Sequence, residues 1–289
     1  MAQAEATANS AVVTGGAGML GSALLDLAPA EVLAVGVDLP DGDLSLLEAA
    51  RAALAPHRPR VVIHCAAYAD VDGCTRDPQR AWLHNATASQ NVAIVCRELG
   101  ARLVALSTDY VFDGTKGAPY TEQDLTNPLN PYGESKLAAE RLVAQELPDH
   151  LLVRTQWLYG PGGKNFVAAI VARAQQGGEL RVVADQWGSP TYTRDLARGL
   201  WDAASSPARG IVHLTNAGVA TWADLAETAL AAAGLGETAM EHIPAADWPT
   251  PTVRPRYSVL DNQRWVRLGF TPLRNWEEAV AEYVEGWLG

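Results

Sequence analysis

The sequence predicts an α/β protein: a doubly wound parallel sheet of the Rossmann type, followed by a smaller α/β region toward the C-terminus. Two observations predict this class. Short apolar segments alternate with helical patterns from the start of the chain, which is typical of a parallel sheet covered on both faces. A glycine-rich turn joins the first apolar segment to the first helical one, as in folds that bind dinucleotides.

The alternation is regular up to about residue 157. It predicts strands over 11–13, 31–37, 60–64, 102–107 and 151–155, with helices over 19–27, 44–55, 77–99 and 132–146. The third helix has recognisable ends, because Asp77 is a suitable N-cap, Pro78 suits a first turn and Gly100 suits a helix end.

After residue 157 the alternation loosens. We expect helices over 166–176, 194–204, 222–233 and 276–287, and short strands over 180–183 and 211–214, with proline-rich turns between them. The prediction is therefore a dinucleotide-binding domain over 1–157 and a substrate-binding region over 158–289. No linker-like segment separates them, so we expect the second to be interwoven with the first.

Composition excludes several classes of function. The net charge of −11 argues against nucleic acid, which needs a basic surface, and disfavours anionic membranes. No apolar run approaches the roughly 20 residues that span a bilayer, and residues 1–10 lack the basic start of a signal peptide. The three cysteines, an odd number without paired spacing, indicate reduced thiols and a cytoplasmic protein.

The glycine turn has the spacing Gly15-x-x-Gly18-x-x-Gly21. The first glycine permits a tight turn, the second lets backbone approach a pyrophosphate, and the third lets helix and strand pack closely. Met19 and Leu20 begin the helix, where free N–H groups and the helix dipole favour a diphosphate. An ordinary glycine-rich turn is the alternative, but its place between the first strand and first helix favours dinucleotide binding.

Residues after the next two strands extend this predicted site. Asp38 ends the second strand, where an acidic residue binds the adenosine ribose hydroxyls; a helix-cap or loop role is the alternative. We expect Asp43 and Leu44 to border the adenine. Ala66 and Ala67 are small enough for a cofactor to pass over the sheet edge.

Tyr132 and Lys136 lie four residues apart at the start of a predicted helix, so one face carries both. An ammonium group near a phenol lowers the phenol pKa from about 10, which suits general acid catalysis. With 8 Tyr and 3 Lys in the chain, about 0.1 such pairs are expected by chance, so a solvated surface pair is the weaker interpretation. Thr108 closes the fourth strand at the ligand-binding edge of the sheet and can donate to a carbonyl, although Ser-Thr is also a common strand end.

These residues resemble the extended short-chain dehydrogenase/reductase superfamily and, within it, the dTDP-4-dehydrorhamnose reductases. The resemblance runs over nearly the whole chain. Its motifs are STDYVFDG at 107–114, PLN-x-YGESKL at 128–137, RT-x-WLYG at 154–160, NF at 165–166, DQ-x-G-x-PT at 185–191 and RP-x-x-S-x-L at 254–260. The last two lie outside the general dinucleotide fold, so they favour this family over generic relatives.

The resemblance implies reduction of the keto group of a dTDP-linked keto-deoxysugar by NADPH or NADH. It assigns the catalytic roles to Thr108, Tyr132 and Lys136. Asp109 and Trp157 would face the sugar. Arg254 would bind the nucleotide diphosphate, with a structural ion pair as the alternative.

Cofactor preference and metal content follow from two further positions. Asp38 favours NADH because a carboxylate repels a 2′-phosphate, and no Lys or Arg lies between residues 31 and 50. The resemblance implies use of both cofactors, so we expect NADH to serve at least comparably to NADPH. Some members of the family bridge a dimer through a metal bound by glutamates; Ser22, Ala23 and Leu24 offer no carboxylate there, so we expect no metal and a monomer or homodimer.

Two other classes of function stay open. An epimerase or dehydratase of nucleotide sugars shares the fold, the cofactor and the Tyr/Lys pair, but the dehydratase needs a second carboxylate where this chain has Tyr110. A non-catalytic subunit resembling that of methionine adenosyltransferase is the non-enzymatic alternative. The retained Trp157 and the segment 185–191 favour a working sugar pocket.

Overall fold

Twelve strands and eleven helices make up the computed structural model, which describes residues 9–39 and 42–288. The strands are β1 Ser10–Thr14, β2 Leu33–Val37, β3 Val61–His64, β4 Arg102–Thr108, β5 His150–Thr155, β6 Leu158–Tyr159, β7 Leu180–Val183, β8 Trp187–Gly188, β9 Thr191–Tyr192, β10 Gly210–His213, β11 Ala220–Thr221 and β12 Met240–Ile243. The helices are α1 Met19–Asp26, α2 Leu47–Leu54, α3 Val71–Arg76, α4 Pro78–Ala81, α5 Ala88–Leu99, α6 Pro131–Glu146, α7 Phe166–Gln175, α8 Thr193–Ala204, α9 Trp222–Ala232, α10 Gln263–Arg267 and α11 Trp276–Leu288.

The central sheet has six parallel strands in the order β10-β5-β4-β3-β1-β2. The order reverses between β1 and β3, because the chain first adds β2 on one side and then β3, β4 and β5 on the other. Ligands of open α/β sheets bind at the carboxyl ends of the strands beside such a reversal. The predicted doubly wound parallel sheet is therefore confirmed.

Helices cover both faces of this sheet. α1, α8 and α10 pack on one face, where Leu196 and Trp265 are fully buried against Val13. α2, α5 and α6 pack on the other, where Val12 and Val92 are fully buried. Val12 and Val13 thus face opposite sides of one strand, as side-chain alternation requires, and burial on both sides explains why the strands are continuously apolar.

The region after β5 contributes to two cores. α7, α9 and α11 pack around β7 and bury Val171, Leu225 and Val280. β10 instead joins the central sheet, where Ile211 lies opposite Leu152 of β5. The division of the chain at residue 157 itself stays a prediction.

Several predicted boundaries differ from the observed ones. The helix predicted over 77–99 consists of three pieces: α4, a π-helical turn over Trp82–Thr87, and α5. Its predicted start is confirmed, because Asp77 accepts a hydrogen bond from the Arg80 backbone N–H at 3.0 Å. α3 and β12 were not predicted, because six and four residues are too few to show a periodicity. α2 begins at Leu47 rather than 44, since Asp43 accepts from both N–H and O–H of Ser45 and forms a turn there.

Candidate active site at the carboxyl edge of the sheet

The glycine turn has the close backbone packing that the motif predicts. Gly15 has a φ of +70° and donates to the Val37 carbonyl at 2.8 Å, which ties the turn to the end of β2. A Cβ at Gly21 would lie 2.0 Å from the Gly15 carbonyl oxygen, so only glycine lets α1 approach the turn. At the exposed Gly18, a Cβ would meet only that same oxygen, at 3.3 Å. The backbone at Gly18 is therefore open to a ligand.

Seven of the predicted cofactor residues line one cleft of about 330 Å³ beside this turn: Gly15, Gly18, Asp38, Asp43, Leu44, Ala66 and Ala67. Its volume is within the range of ligand pockets. The glycine backbone, the acidic end of β2 and the small residues after β3 together fit the elongated shape and the hydroxyl and phosphate groups of a dinucleotide. Met19, Leu20 and Gly21 lie outside the lining; the Leu20 side chain packs in the core below α1.

Both oxygens of Asp38 accept hydrogen bonds from backbone. Ala17 N–H donates to Oδ2 at 2.9 Å and Leu39 N–H donates to Oδ1 at 2.8 Å. The carboxylate thus bridges the glycine turn and the end of β2. Asp38 therefore has the structural loop role that was the alternative to ribose binding. Its half-exposed side chain also lines the cleft, so ribose binding stays a prediction.

A buried histidine joins the two strands on either side of the reversal. Ser89 gives its proton to the Asn85 carbonyl at 2.6 Å, so it accepts from His64 Nε2 at 3.0 Å. His64 Nδ1 then accepts from the Thr14 hydroxyl at 2.7 Å. Burial lowers the pKa of His64 to about 3, and the charge of Lys136 lowers it further, which keeps the ring neutral and suited to this chain of hydrogen bonds.

Thr108 lies in a buried set of hydroxyl and carboxyl groups. Its hydroxyl donates to Asp109 Oδ1 at 3.0 Å and accepts from the Tyr110 N–H at 3.2 Å. It also contacts the Tyr132 hydroxyl. Ser258 donates to the other Asp109 oxygen at 2.6 Å. Thr108 can donate to a carbonyl only if its proton turns away from Asp109.

The Asp109 carboxyl is only 1% exposed. In this structure the group is turned into the protein, where it holds Thr108 and Ser258, and its place facing the sugar stays a prediction. Burial raises the pKa of Asp109 to about 6, against the lowering effect of the hydrogen bonds from Ser258 and Thr108.

Tyr132 and Lys136 lie on α6, whose start is fixed by Asn130 accepting from the Gly133 N–H at 2.9 Å. Lys136 donates to the Leu106 carbonyl at 2.7 Å. Burial lowers the pKa of Lys136 to about 8, while the charge of Glu140 raises it. The ammonium also lies near enough to Cys65, which lines the dinucleotide cleft, for its charge to act on that thiol.

The lysine does not activate the phenol here as expected from the spacing. Burial raises the pKa of Tyr132 above its usual value, and the Thr108 hydroxyl lowers it. The Lys136 ammonium is bound to the β4 backbone instead. The predicted lowering of the Tyr132 pKa by Lys136 is therefore absent in this structure.

A buried ion pair connects the helix carrying Tyr132 to β5. Arg154 Nη2 contacts Glu140 Oε2 at 2.7 Å, and Arg154 and Glu140 are 2% and 4% exposed. Ser107 donates to the same carboxylate at 2.5 Å. These contacts fix α6 relative to the ends of β4 and β5.

Trp157 follows β5 with a φ of +49°, a strained conformation for a residue with a side chain, costing about 1–3 kcal/mol. Its indole stacks on Trp222 with centroids 3.7 Å apart. A Cβ at Gly188 would lie 2.5 Å from the same indole. Packing on both of these neighbours holds the strained conformation.

Arg254 forms the ion pair that the sequence left as an alternative. Its Nη2 contacts Asp72 Oδ1 at 2.9 Å, and its Nη1 also donates to Thr250. Burial raises the pKa of the Tyr110 hydroxyl, and the nearby Arg254 guanidinium offsets part of that rise. The Tyr110 ring lies edge-on to that of Tyr132, with centroids 5.4 Å apart. Arg254 is thus held in an ion pair with Asp72, and the Tyr110 side chain lies between it and Tyr132, the predicted general acid.

The fold brings to the site several residues that the sequence did not predict: Tyr68, Arg80, His84 and Asn85 around the cleft, and Ser258 beside Asp109. Asn85 is fully buried; its carboxamide pairs with both backbone groups of Tyr68, at 2.8 and 3.1 Å, and with Ser135 at 3.0 Å. The π-helical turn around Asn85 is typical of functional sites, but it has no signature in the sequence.

Metal-binding groups and membrane-spanning helices are both absent from the described residues. Across 9–39 and 42–288, no three His, Cys, Asp or Glu side chains group closely enough to hold a metal ion. None of the helices in those residues has the length and apolarity to cross a bilayer.

Comparison with known proteins places the chain in a family. The profile of the RmlD substrate binding domain matches residues 9–288. A dTDP-4-dehydrorhamnose reductase of Streptomyces griseus is 43% identical over 284 residues, covering 94% of this chain and 91% of that protein. A dTDP-4-keto-6-deoxy-D-glucose reductase of Streptomyces niveus is 39% identical over 273 residues, covering 94% and 95%.

One solved structure is also similar to this chain over nearly its whole length. The dTDP-4-dehydrorhamnose reductase of Bacillus anthracis in complex with NADP superposes with a TM-score of 0.93 at 32% identity, covering 96% of this chain and 99% of that one. The resemblance inferred from the motifs is confirmed. The chain belongs to the family defined by the RmlD substrate binding domain.

Proposed function

We propose that the chain is an oxidoreductase that reduces the 4-keto group of a dTDP-4-keto-6-deoxyhexose with NADPH or NADH. The observation that carries the proposal is the contact of the Thr108 and Tyr132 hydroxyls at the carboxyl edge of the sheet, with Lys136 one helical turn from Tyr132 on α6 and bound to the β4 backbone. The names of the two relatives and the NADP complex support the same substrate class and cofactor.

In the proposed reaction the bound NADPH or NADH supplies a hydride to the carbonyl carbon. Tyr132 donates its phenol proton to the carbonyl oxygen as negative charge develops there. As that charge develops, Thr108 turns its hydroxyl from Asp109 to the same oxygen and stabilises the charge until the proton has moved. Lys136 stays protonated and holds the β4 backbone and the ribose nearest the reacting carbon.

The remaining predicted residues take binding roles in this proposal. Gly15, Gly18 and the start of α1 bind the diphosphate of the dinucleotide, and Asp38 binds its ribose. Trp157, whose indole is held by Trp222 and Gly188, contacts the sugar. Arg254 is placed to meet the nucleotide diphosphate of the substrate only if that group competes with Asp72.

The alternatives predict different products. A dehydratase needs a second carboxylate after Thr108 and Asp109, and Tyr110 occupies that place with its hydroxyl near Arg254. An epimerase would turn over substrate without net consumption of reduced cofactor, and a non-catalytic subunit would bind dinucleotide and reduce nothing.

The decisive experiment is NADPH consumption with a dTDP-4-keto-6-deoxyhexose, followed by identification of the product. Tyr132→Phe is expected to lower kcat at least about a hundredfold with nearly unchanged cofactor Kd, because general acid catalysis contributes roughly 10²–10⁴-fold. Tyr283→Phe, which removes a buried phenol hydroxyl bonded to Asn165 in another core, is the matched control. Near wild-type turnover by Tyr132→Phe would rule out this mechanism.

The cytoplasmic location and the monomer or homodimer expected from the sequence stay predictions. Sedimentation of the purified chain at micromolar concentration tests the second. A larger assembly would contradict it.

A further inference from the structure

The dinucleotide cleft has an unbalanced charge if only the sequence-predicted residues that line it are counted. Asp38 and Asp43 both line it, and the hydrogen bond from Ser45 lowers the pKa of Asp43, which keeps it ionised. Residues 1–50 contain no Lys or Arg. A dinucleotide brings at least two further negative charges, so the cleft needs a cation from another part of the chain.

The segment after β3 supplies that cation. Arg80 of α4 and His84 of the π-helical turn both line the cleft. They are more than forty residues from Asp38 in the sequence, so only the fold brings them together. His84 lies near enough to Asp43 for its charge to lower the pKa of that carboxyl.

Arg80 is held in place without an ion pair. Its guanidinium lies 4.5 Å from the centroid of the Tyr68 ring, and Tyr68 is itself fixed by both of its hydrogen bonds to Asn85. No carboxylate within the described part of the chain forms a salt bridge with Arg80. The nearby Arg76 differs, because it contacts Asp70 at 3.4 Å.

We propose that Arg80, assisted by His84, binds phosphate of the dinucleotide in this cleft. A guanidinium that packs against an aromatic ring and has no carboxylate partner has N–H groups available for bidentate contact with phosphate oxygens. The phosphate has two sources, the diphosphate bridge that both cofactors share and the 2′-phosphate that only NADPH carries. The inference rests on the dinucleotide use in the proposed function and deepens it by naming the cation.

The test is dinucleotide binding without sugar, measured as Kd by fluorescence titration of the whole chain with NADPH and with NADH. Arg80→Gln is expected to raise the Kd at least about tenfold, since charge-assisted hydrogen bonds are among the stronger polar contacts. Arg80→Lys should keep part of the affinity. Arg76→Gln, which removes an exposed arginine from the preceding helix α3, should stay within about twofold of wild type.

The two cofactors distinguish the phosphate sources. An equal loss for NADH and NADPH assigns Arg80 to the diphosphate, and a larger loss for NADPH assigns it to the 2′-phosphate. The dependence of log Kd on log salt concentration should also become shallower in Arg80→Gln, because one charge contact is lost. Unchanged Kd values for both cofactors in Arg80→Gln would overturn the proposal.

Failure of the proposed function gives a different result. A wild-type chain that binds dinucleotide through Arg80 but reduces no keto-sugar would refute the reductase and keep this inference. A wild-type chain that binds neither dinucleotide would overturn both. Arg80 is exposed, so the substitution is not expected to unfold the protein.

Discussion

Lys136 is a buried ammonium with one carbonyl partner, and its charge is therefore sensitive to pH. Burial lowers its pKa to about 8 from a usual value near 10.5. The folded chain thus binds fewer protons than the unfolded chain between about pH 8 and 10.5, and the free energy of unfolding should rise with pH across that window, by at most roughly 1.4 kcal/mol per unit. Enzymatic activity should instead fall as the pH rises across that window.

The expected profile of kcat/KM falls as pH rises through about 8, because the protonated lysine holds both the β4 backbone and the nicotinamide-side ribose. Denaturant unfolding at several pH values from 7 to 10 measures how the free energy of unfolding depends on pH, and initial rates over the same range measure how kcat/KM depends on pH. In Lys136→Met the free energy of unfolding should no longer rise with pH over that range. Activity that stays constant to pH 9.5 would contradict the assignment of the fall to Lys136.

At the scale of single elements, the approach of α1 to the glycine turn is the tightest contact in the cofactor cleft. A Cβ at Gly21 would overlap the Gly15 carbonyl oxygen at 2.0 Å. Gly21→Ala should therefore displace α1, cost about 1–3 kcal/mol as overpacking does, and raise the NADPH Kd at least about tenfold because the diphosphate site loses its backbone geometry.

Gly286→Ala is the matched control for that substitution. Gly286 also lies within a helix, α11, but nothing lies within 4 Å of a Cβ placed there. This change should stabilise the chain by about 0.5–1 kcal/mol through reduced backbone freedom in the unfolded state. Thermal unfolding and NADPH titration of both variants give the comparison, and wild-type affinity in Gly21→Ala would show that the turn tolerates a shift of α1.

At the scale of the whole molecule, the chain after residue 157 completes the core of the first sheet. β10 pairs with β5, Leu196 and Trp265 are fully buried in the core beneath β1, and the Trp201 indole donates to the Leu24 carbonyl at 3.0 Å. A fragment of residues 1–157 would expose one face of the sheet and an open strand edge.

We therefore predict that the fragment 1–157 does not unfold cooperatively and binds no NADPH. Co-expression with residues 158–289 should restore both properties if the two parts are interwoven as expected. Circular dichroism during heating and resistance to proteolysis are the measurements. A sharp transition in the isolated fragment would instead support two domains that fold separately.

Local patterns in the sequence account for much of the fold and of the chemistry. The alternation of apolar strands and helices predicted the parallel sheet, because strands buried on both faces must be apolar along their length. The glycine turn and the helix start at Asp77 were predictable for a similar reason: backbone conformation and capping depend on residues within a few positions of one another. The Tyr132 and Lys136 pair could be found because four residues make one turn of a helix.

Tertiary structure alone decided how these pieces are used. Asp109 turns inward because Ser258, far along the chain, lies beside it, and Lys136 binds the Leu106 carbonyl rather than activating Tyr132. Arg254 forms an ion pair with Asp72. Arg80 lines the acidic cleft, to which residues 1–50 contribute no Lys or Arg. Each of these contacts joins elements whose packing is set by strand order and helix orientation. The sequence by itself therefore determined the fold class and the reacting residue types, while charge balance and proton positions depended on long-range packing, which leaves no periodic signal in the chain.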